Sequence, residues 1–205
     1  MEPQYLSADY WNERYLTNQT GWDIGHISTP LKAYFDQLHN KNIRILIPGG
    51  GNSYEAAYLL DNGFTDITVV DISSVVTDQL KKKYNCPHIH IFSADFFALE
   101  GQYDLIIEQT FFCALDPSLR EKYVETVKKL LTDNGKLVGL LFNREFENNP
   151  PFGGDAEGYR QLFSLSFRIQ ILETCYNSIP ARKDTELFLI AVNQKTDTKD
   201  YILKS

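Results

Sequence analysis

The chain has 205 residues, 43% of them hydrophobic and 23% charged, with a formal net charge of −7. That length and balance describe one ordinary globular domain with a sizeable core, and the acidic surplus argues against nucleic acid as a partner. Cys86, Cys113 and Cys175 are widely spaced and form no Cys-x-x-Cys pair, which excludes a disulfide framework or zinc site and fits a reducing compartment.

The first nine residues lack a basic stretch followed by an apolar run, so no signal peptide is expected. No run of about 18 apolar residues follows, so no membrane partner is expected and the protein reads as cytoplasmic. Residues 1–42 read as a helical lid segment. Ser7 caps a short helix carrying Tyr10, Trp11, Arg14 and Tyr15. A loop from Thr20 to Ser28 leads to a second helix, where Thr29 caps, Pro30 takes the first position and Leu31, Tyr34, Phe35 and Leu38 form the apolar stripe.

Residues 43–193 read as the core. The first strand, Ile43–Ile47, runs into Pro48-Gly-Gly-Gly51 and then a helix at Glu55–Leu60. The second strand, Ile67–Asp71, closes on an acid. Strand, glycine turn, helix, strand and terminal Asp is the layout of a nucleotide-type crevice in a doubly wound sheet. Glycines let the backbone approach a ligand, the helix start offers free N–H groups, and Asp71 is placed to accept both hydroxyls of a ribose. Since its side chain should face the crevice, its replacement by alanine is expected to change the stability of the empty protein little. A nicotinamide-type fingerprint beginning at Gly49 needs Gly or Ala at position 54, where this chain has Tyr54.

A helix opens at Ser73 or Ser74 and runs to about Tyr84. The third strand is His88–Phe92, and the fourth, Tyr103–Glu108, leads into a turn from Gln109 to Leu115. Asp116 caps a helix with Pro117 at its first position and Leu119, Tyr123 and Val127 on one face. Asn134-Gly135 turns the chain into the fifth strand, Lys136–Phe142. An irregular loop holds Pro150, Pro151 and Phe152, and Asp155–Phe163 forms a short helix. Two strands, Phe167–Tyr176 and Glu186–Asn193, have no helix between them and so pair without the usual crossover. The reading is an α/β fold with a mostly parallel sheet and an antiparallel edge, followed over 194–205 by a polar tail.

The ordered pieces Tyr10-Trp11 with Tyr15, Gly21-Trp-Asp-Ile-Gly25, Thr29-Pro-Leu31, Ile47-Pro-Gly49, Asp71-Ile-Ser73, Asp95-Phe96, Thr110-Phe-Phe-Cys-Ala-Leu115, Asn149-Pro-Pro-Phe152 and Ile179-Pro-Ala-Arg182 cover roughly residues 10–193. In them the chain resembles class I S-adenosylmethionine-dependent methyltransferases of the thiopurine methyltransferase superfamily, nearest the thiol and halide methyltransferase branch. The resemblance implies a Rossmann-like seven-stranded sheet in the order 3-2-1-4-5-7-6. Family members usually place Cys where this chain has Gly50, and the thiopurine enzymes carry Asp-Arg where it has Glu108-Gln109.

The resemblance also implies roles. S-adenosyl-L-methionine would be held by Gly49 and Gly51 at its amino-acid end, by Asp71 at the ribose, and by Asp95 and the Phe96 N–H at the adenine. Trp11 and Trp22 would cover the sulfonium, and Glu108 would touch the methionine end or the acceptor. Tyr15, Phe111, Phe112, Phe152 and Arg182 are the candidates for the pocket of a small-molecule acceptor, with Arg182 pairing an anionic substrate. The reaction is methyl transfer to a small soft nucleophile such as a thiol, a halide or a related sulfur or selenium compound. No catalytic base is identified, no metal is expected, and the protein is expected to act as a monomer. A nicotinamide-dependent reductase and a non-catalytic S-adenosylmethionine-binding protein are the alternatives.

Overall fold

The computed structural model describes residues 6–194, and the polar tail expected beyond Gln194 lies outside them. Seven strands form one sheet: β1 Ile45–Pro48, β2 Ile67–Asp71, β3 Ile89–Ser93, β4 Tyr103–Gln109, β5 Leu131–Phe142, β6 Phe167–Thr174 and β7 Glu186–Asn193. Their order is β3-β2-β1-β4-β5-β7-β6, parallel from β3 to β5, with β7 antiparallel to both β5 and β6. The helices are α1 Ala8–Leu16, α2 Thr29–Phe35, α3 Tyr54–Asp61, α4 Ser74–Lys83, α5 Arg120–Leu130 and α6 Ala156–Ser164.

Burial explains why the central strands read as apolar runs. Every residue of β1 and β2 is buried, because helices cover both faces of the sheet. Alternate side chains serve opposite faces: Ile45 and Ile47 pack with Leu31, Phe35 and Leu59, whereas Leu46 packs with Tyr123, Val127 and Phe163. The edge strand β3 is mostly exposed, and its Phe92 is 51% accessible.

Element limits move where local hydrogen bonding overrides pattern. β1 begins at Ile45, not Ile43, and β3 is shifted one residue along from His88–Phe92. Thr29 lies inside α2, which starts after Ser28; its hydroxyl instead donates to the Asn177 carbonyl at 2.6 Å and ties α2 to the turn after β6. Asp116 caps a 3₁₀ turn, Pro117–Leu119, and α5 begins only at Arg120. Asn134-Gly135 is not a turn ahead of the fifth strand but an irregularity inside it, where the pairing with β4 slips between Tyr103 and Leu105. β6 stops at Thr174, and Tyr176 projects outward at 92% exposure.

The N-terminal helix α1 packs against α4. Ser7 Oγ accepts from Tyr10 N at 3.3 Å, which caps α1 as the sequence suggests. α1 buries none of its residues fully and is anchored through Asn12 Oδ1, which accepts from Ser73 Oγ at 2.7 Å and Val75 N at 3.2 Å.

Candidate active site

The strand order reverses between β1 and β4, and a cavity of about 1140 Å³ opens at that point beyond the strand C-termini. The glycine turn makes its floor. Gly49 and Gly51 have φ of 56° and 50°, in the left-handed region that glycine occupies without cost. A Cβ on Gly49 would stand 2.3 Å from the Phe111 ring, and one on Gly50 would stand 2.3 Å from Val69 Cγ1. Two residues with side chains, Ser53 and Thr110, also hold positive φ at the cavity wall, so backbone strain concentrates here.

Asp71 sits at the tip of β2 and is 7% exposed. Its Oδ2 accepts from Gly51 N at 3.0 Å and its Oδ1 from Ser73 N at 2.8 Å. A carboxylate offers about four acceptor sites, so two remain for a ligand. Burial raises its pKa despite the backbone N–H groups that favour the charged form. Because the same carboxylate braces the glycine turn, the expectation that alanine here changes stability little does not hold: two buried N–H groups would lose their acceptor.

The lid closes over this floor with aromatic rings. Trp22 meets Trp11 edge-on at 5.5 Å and Tyr15 at 5.9 Å. Asp23 of the same loop accepts from Gly25 N at 2.7 Å, from Tyr54 OH at 3.2 Å and from Asn52 Nδ2. Tyr54 thus occupies the position of a fingerprint glycine while latching the lid to α3.

Trp11, Tyr15, Trp22, Gly49, Gly51, Asp71, Asp95, Phe96, Phe111 and Arg182 all line this single cavity. Asp95 is also the cap of the 3₁₀ turn Phe96–Ala98, its Oδ1 accepting from Phe97 N at 2.9 Å. Arg182 is more engaged than a free anion-binding group: Nη2 donates to the Trp22 carbonyl at 3.0 Å, Nη1 pairs with Glu186 at 3.2 Å, and the guanidinium lies over Phe142.

Three expected residues are not brought to the cavity wall. Glu108 is 1% exposed and turned into the core, where it accepts from Phe111 N at 2.8 Å, Phe112 N at 2.9 Å and Tyr123 OH at 2.8 Å. It is a strut for the turn after β4, and burial pushes its pKa to about 7. Phe112 is core, packed against Tyr123 and Tyr159. Phe152 stays beside the cavity, donating its N–H to the Cys113 carbonyl at 2.6 Å.

Sequence reading missed Asp23, Glu55, Gln109, Phe142, Arg144 and Phe146, all of which line the cavity. Glu55 follows the glycine turn directly, and that adjacency was the available signal. Ser53 Oγ and Gln109 Oε1, both of residues that line the cavity, are buried without a hydrogen-bond partner among the described residues. Cys113 also lines the wall, but burial and the nearby Glu108 charge raise its pKa far above the usual thiol range, so it stays protonated. No metal-binding cluster of His, Cys, Asp and Glu occurs among the described residues, and none of their helices is long and apolar enough to cross a membrane.

Comparison with known proteins agrees with this architecture. The "Probable thiol methyltransferase 2" of Arabidopsis thaliana is 30% identical over 170 residues, covering 78% of this chain and 74% of its own. The thiopurine S-methyltransferase of Acinetobacter baylyi is 25% identical over 82% of this chain and 88% of its own. The thiocyanate methyltransferase 1 of Arabidopsis thaliana is 25% identical over 86% and 81% respectively. Among solved structures, the Burkholderia thailandensis 1,6-didemethyltoxoflavin-N1-methyltransferase, with S-adenosylhomocysteine bound, superposes with a TM-score of 0.74 at 15% identity. It covers 91% of this chain and 87% of that one. The thiopurine S-methyltransferase family profile matches residues 6–197, and the chain belongs to that family of S-adenosylmethionine-dependent methyltransferases.

Proposed function

We propose that this chain transfers the methyl group of S-adenosyl-L-methionine to a small soft nucleophile: a thiol, a halide or a related sulfur or selenium compound. The observation that carries the acceptor class is a stretch of the cavity wall where Phe142 and Phe146 meet edge-on, with the Arg182 guanidinium over Phe142 and that of Arg144 over Phe146. A polarisable anion is comparatively cheap to desolvate, and an apolar wall with a nearby cation suits it better than fixed hydrogen-bond donors. The thiol and thiocyanate methyltransferases among the relatives support the same class.

In this reading Gly49 and Gly51 admit the amino-acid end of the cofactor against the backbone. Asp71 accepts from the ribose hydroxyls, Asp95 accepts from the adenine amino group, and the Phe96 N–H reads a ring nitrogen. The left-handed glycine turn on the cavity floor supports this fit, as do the unpartnered Ser53 Oγ and Gln109 Oε1. The bound cofactor supplies a methyl group on a sulfonium, whose C–S electrons return to that sulfur as the acceptor's electron pair takes the methyl. Trp11, Trp22 and Tyr15 cover the cation with ring faces and exclude water, while Phe111 and Arg182 align the acceptor. Tyr15 holds its proton, because burial and the Asp71 charge raise its pKa. We read the chain as one methyltransferase domain acting as a cytoplasmic monomer without nucleic acid, a reading supported on the last point by its net charge of −7.

Transfer of a labelled methyl group to a panel of alkane thiols, bisulfide, iodide, thiocyanate and selenide tests the proposal. Product is expected with at least one of them. Tight S-adenosylhomocysteine binding with no transfer to any acceptor would replace it with a non-catalytic binding protein.

A further inference from the structure

Five carboxylates line the cavity: Asp23, Glu55, Asp71, Asp95 and Asp116. Four of them are committed to donors on other residues. Asp23 takes Asn52, Tyr54 and Gly25; Asp71 takes Gly51 and Ser73; Asp95 takes Phe97; and Asp116 takes Ser118. Glu55 is the exception. It sits in the first turn of α3, directly after the glycine turn, and is 6% exposed. Its carboxylate takes a hydrogen bond from its own backbone N–H and from no other described residue. A buried acid with no donor from another residue is costly unless it has a task, and this one lines the cavity.

Resting on the acceptor class proposed above, we propose that Glu55 is the catalytic base that takes the proton from a thiol acceptor. The S–H bond breaks, the proton passes to the Glu55 carboxylate, and the electron pair stays on sulfur as the attacking thiolate. The proton then leaves Glu55 for water once the product has gone. An acceptor that carries no proton, such as iodide, does not need this step.

The surroundings suit the task. Burial, the largest influence, and the Asp23 charge together raise Glu55 to about 7 against the lowering effects of its own backbone N–H and of Arg182. Arg182 and Glu55 line the same cavity, and Arg182 is the cation that acts on Glu55. Tyr54 is the titratable neighbour on α3 itself, with a pKa also raised by burial, and Lys32 and Asp36 of α2 pair with each other and with Tyr58 instead. A base near 7 lies within about two pH units of an ordinary thiol near 8.5, close enough for useful proton transfer.

The test compares Glu55→Gln with the parent on an alkane thiol, on a strongly acidic aromatic thiol already ionised at neutral pH, and on iodide. The expected loss is roughly 100-fold or more in kcat for the alkane thiol near pH 7, the usual size of a general-base contribution. For the two proton-free acceptors, and for S-adenosylhomocysteine affinity, the change should stay within about threefold. The parent's alkane-thiol rate should rise with pH through an acidic limb that Glu55→Gln lacks, and Glu55→Asp should recover part of the rate. Infrared difference spectra of the protein without cofactor give a readout independent of turnover: Glu55→Gln should lose one protonated-carboxyl band that titrates near neutral pH. Equal loss on all three acceptors, or no loss on the alkane thiol, would overturn the proposal. A parent that methylates none of them would overturn the acceptor class itself, an outcome visible before any variant is made.

Discussion

The two ends of the cavity are built by different means. At the proposed cofactor end the wall is largely backbone: a turn of three glycines, the strand tip at Asp71 and two residues in strained positive-φ conformations, much of it within residues 48–71. At the proposed acceptor end the wall is side chains brought together from three segments: Phe111 after β4, Phe142 and Phe146 around the end of β5, and Ile179 with Arg182 ahead of β7. A backbone-built site tolerates little change, because no side chain can be exchanged to relieve a clash. A site built of side chains can be retuned residue by residue without disturbing the sheet beneath it.

The largest effect should come from filling the glycine floor. Gly49→Ala puts a Cβ 2.3 Å from the Phe111 ring at a φ of 56°. Backbone strain and overpacking together should cost about 3–5 kcal/mol, read as lost S-adenosylhomocysteine affinity and a lowered melting temperature. Asp71→Ala should weaken that affinity by about 2–4 kcal/mol through two lost charge-assisted hydrogen bonds, and should destabilise the empty protein as well. Calorimetry and thermal melts on the same samples separate the two losses.

The strut joining the two ends should give the protein a distinctive pH dependence. Glu108 moves from 4.5 to about 7 on folding, so the folded state binds more protons than the unfolded state between those values. Its contribution is complete below about pH 4.5 and is lost as pH rises through about 7, a swing of about 3 kcal/mol. Glu55 and Asp71 shift in the same direction. Urea unfolding should therefore show stability falling from about pH 5 to about pH 8, with a visibly shallower slope in Glu108→Gln. A slope unchanged by that substitution would show that Glu108 is not held as an acid in the folded protein.

The smallest effect is expected at the acceptor end. Arg182→Leu breaks the hydrogen bond to Trp22 and strands Glu186, but it leaves the glycine turn intact. We expect KM for an anionic acceptor to rise by about tenfold, roughly 1.4 kcal/mol, with S-adenosylhomocysteine affinity nearly unchanged. A loss of equal size at both ends would mean that the lid tie couples them and that the contrast between them is too sharp.

The same contrast explains what was legible in the sequence. The strands, the glycine turn and Asp71 could be read because each is encoded locally, by apolar runs, by glycine at special φ and by an acid ending a strand, whereas the order of the strands came from the family resemblance. Phe111 and Phe112 could not be told apart: they are adjacent in an irregular turn, where no period says which faces the cavity and which the core. Glu108 looked like a rim acid because it nears the end of β4, and only its three donors, the Phe111 and Phe112 N–H groups and the Tyr123 hydroxyl, show that it points inward. Glu55 passed unnoticed because an acid in a first helical turn already has a local explanation in the helix dipole. Asn134-Gly135 reads as a turn in isolation, and pairing with β4 and β7 on either side holds it within β5.

A crystal of the protein with S-adenosylhomocysteine and iodide tests the division of the cavity most directly. The account predicts the nucleoside between Asp71 and Asp95, the thioether sulfur over the glycine turn, and an anomalous iodide peak among Phe142, Phe146 and Ile179 near Arg182. Iodide confined to surface lysines and arginines, or S-adenosylhomocysteine lying across the acceptor end, would contradict it.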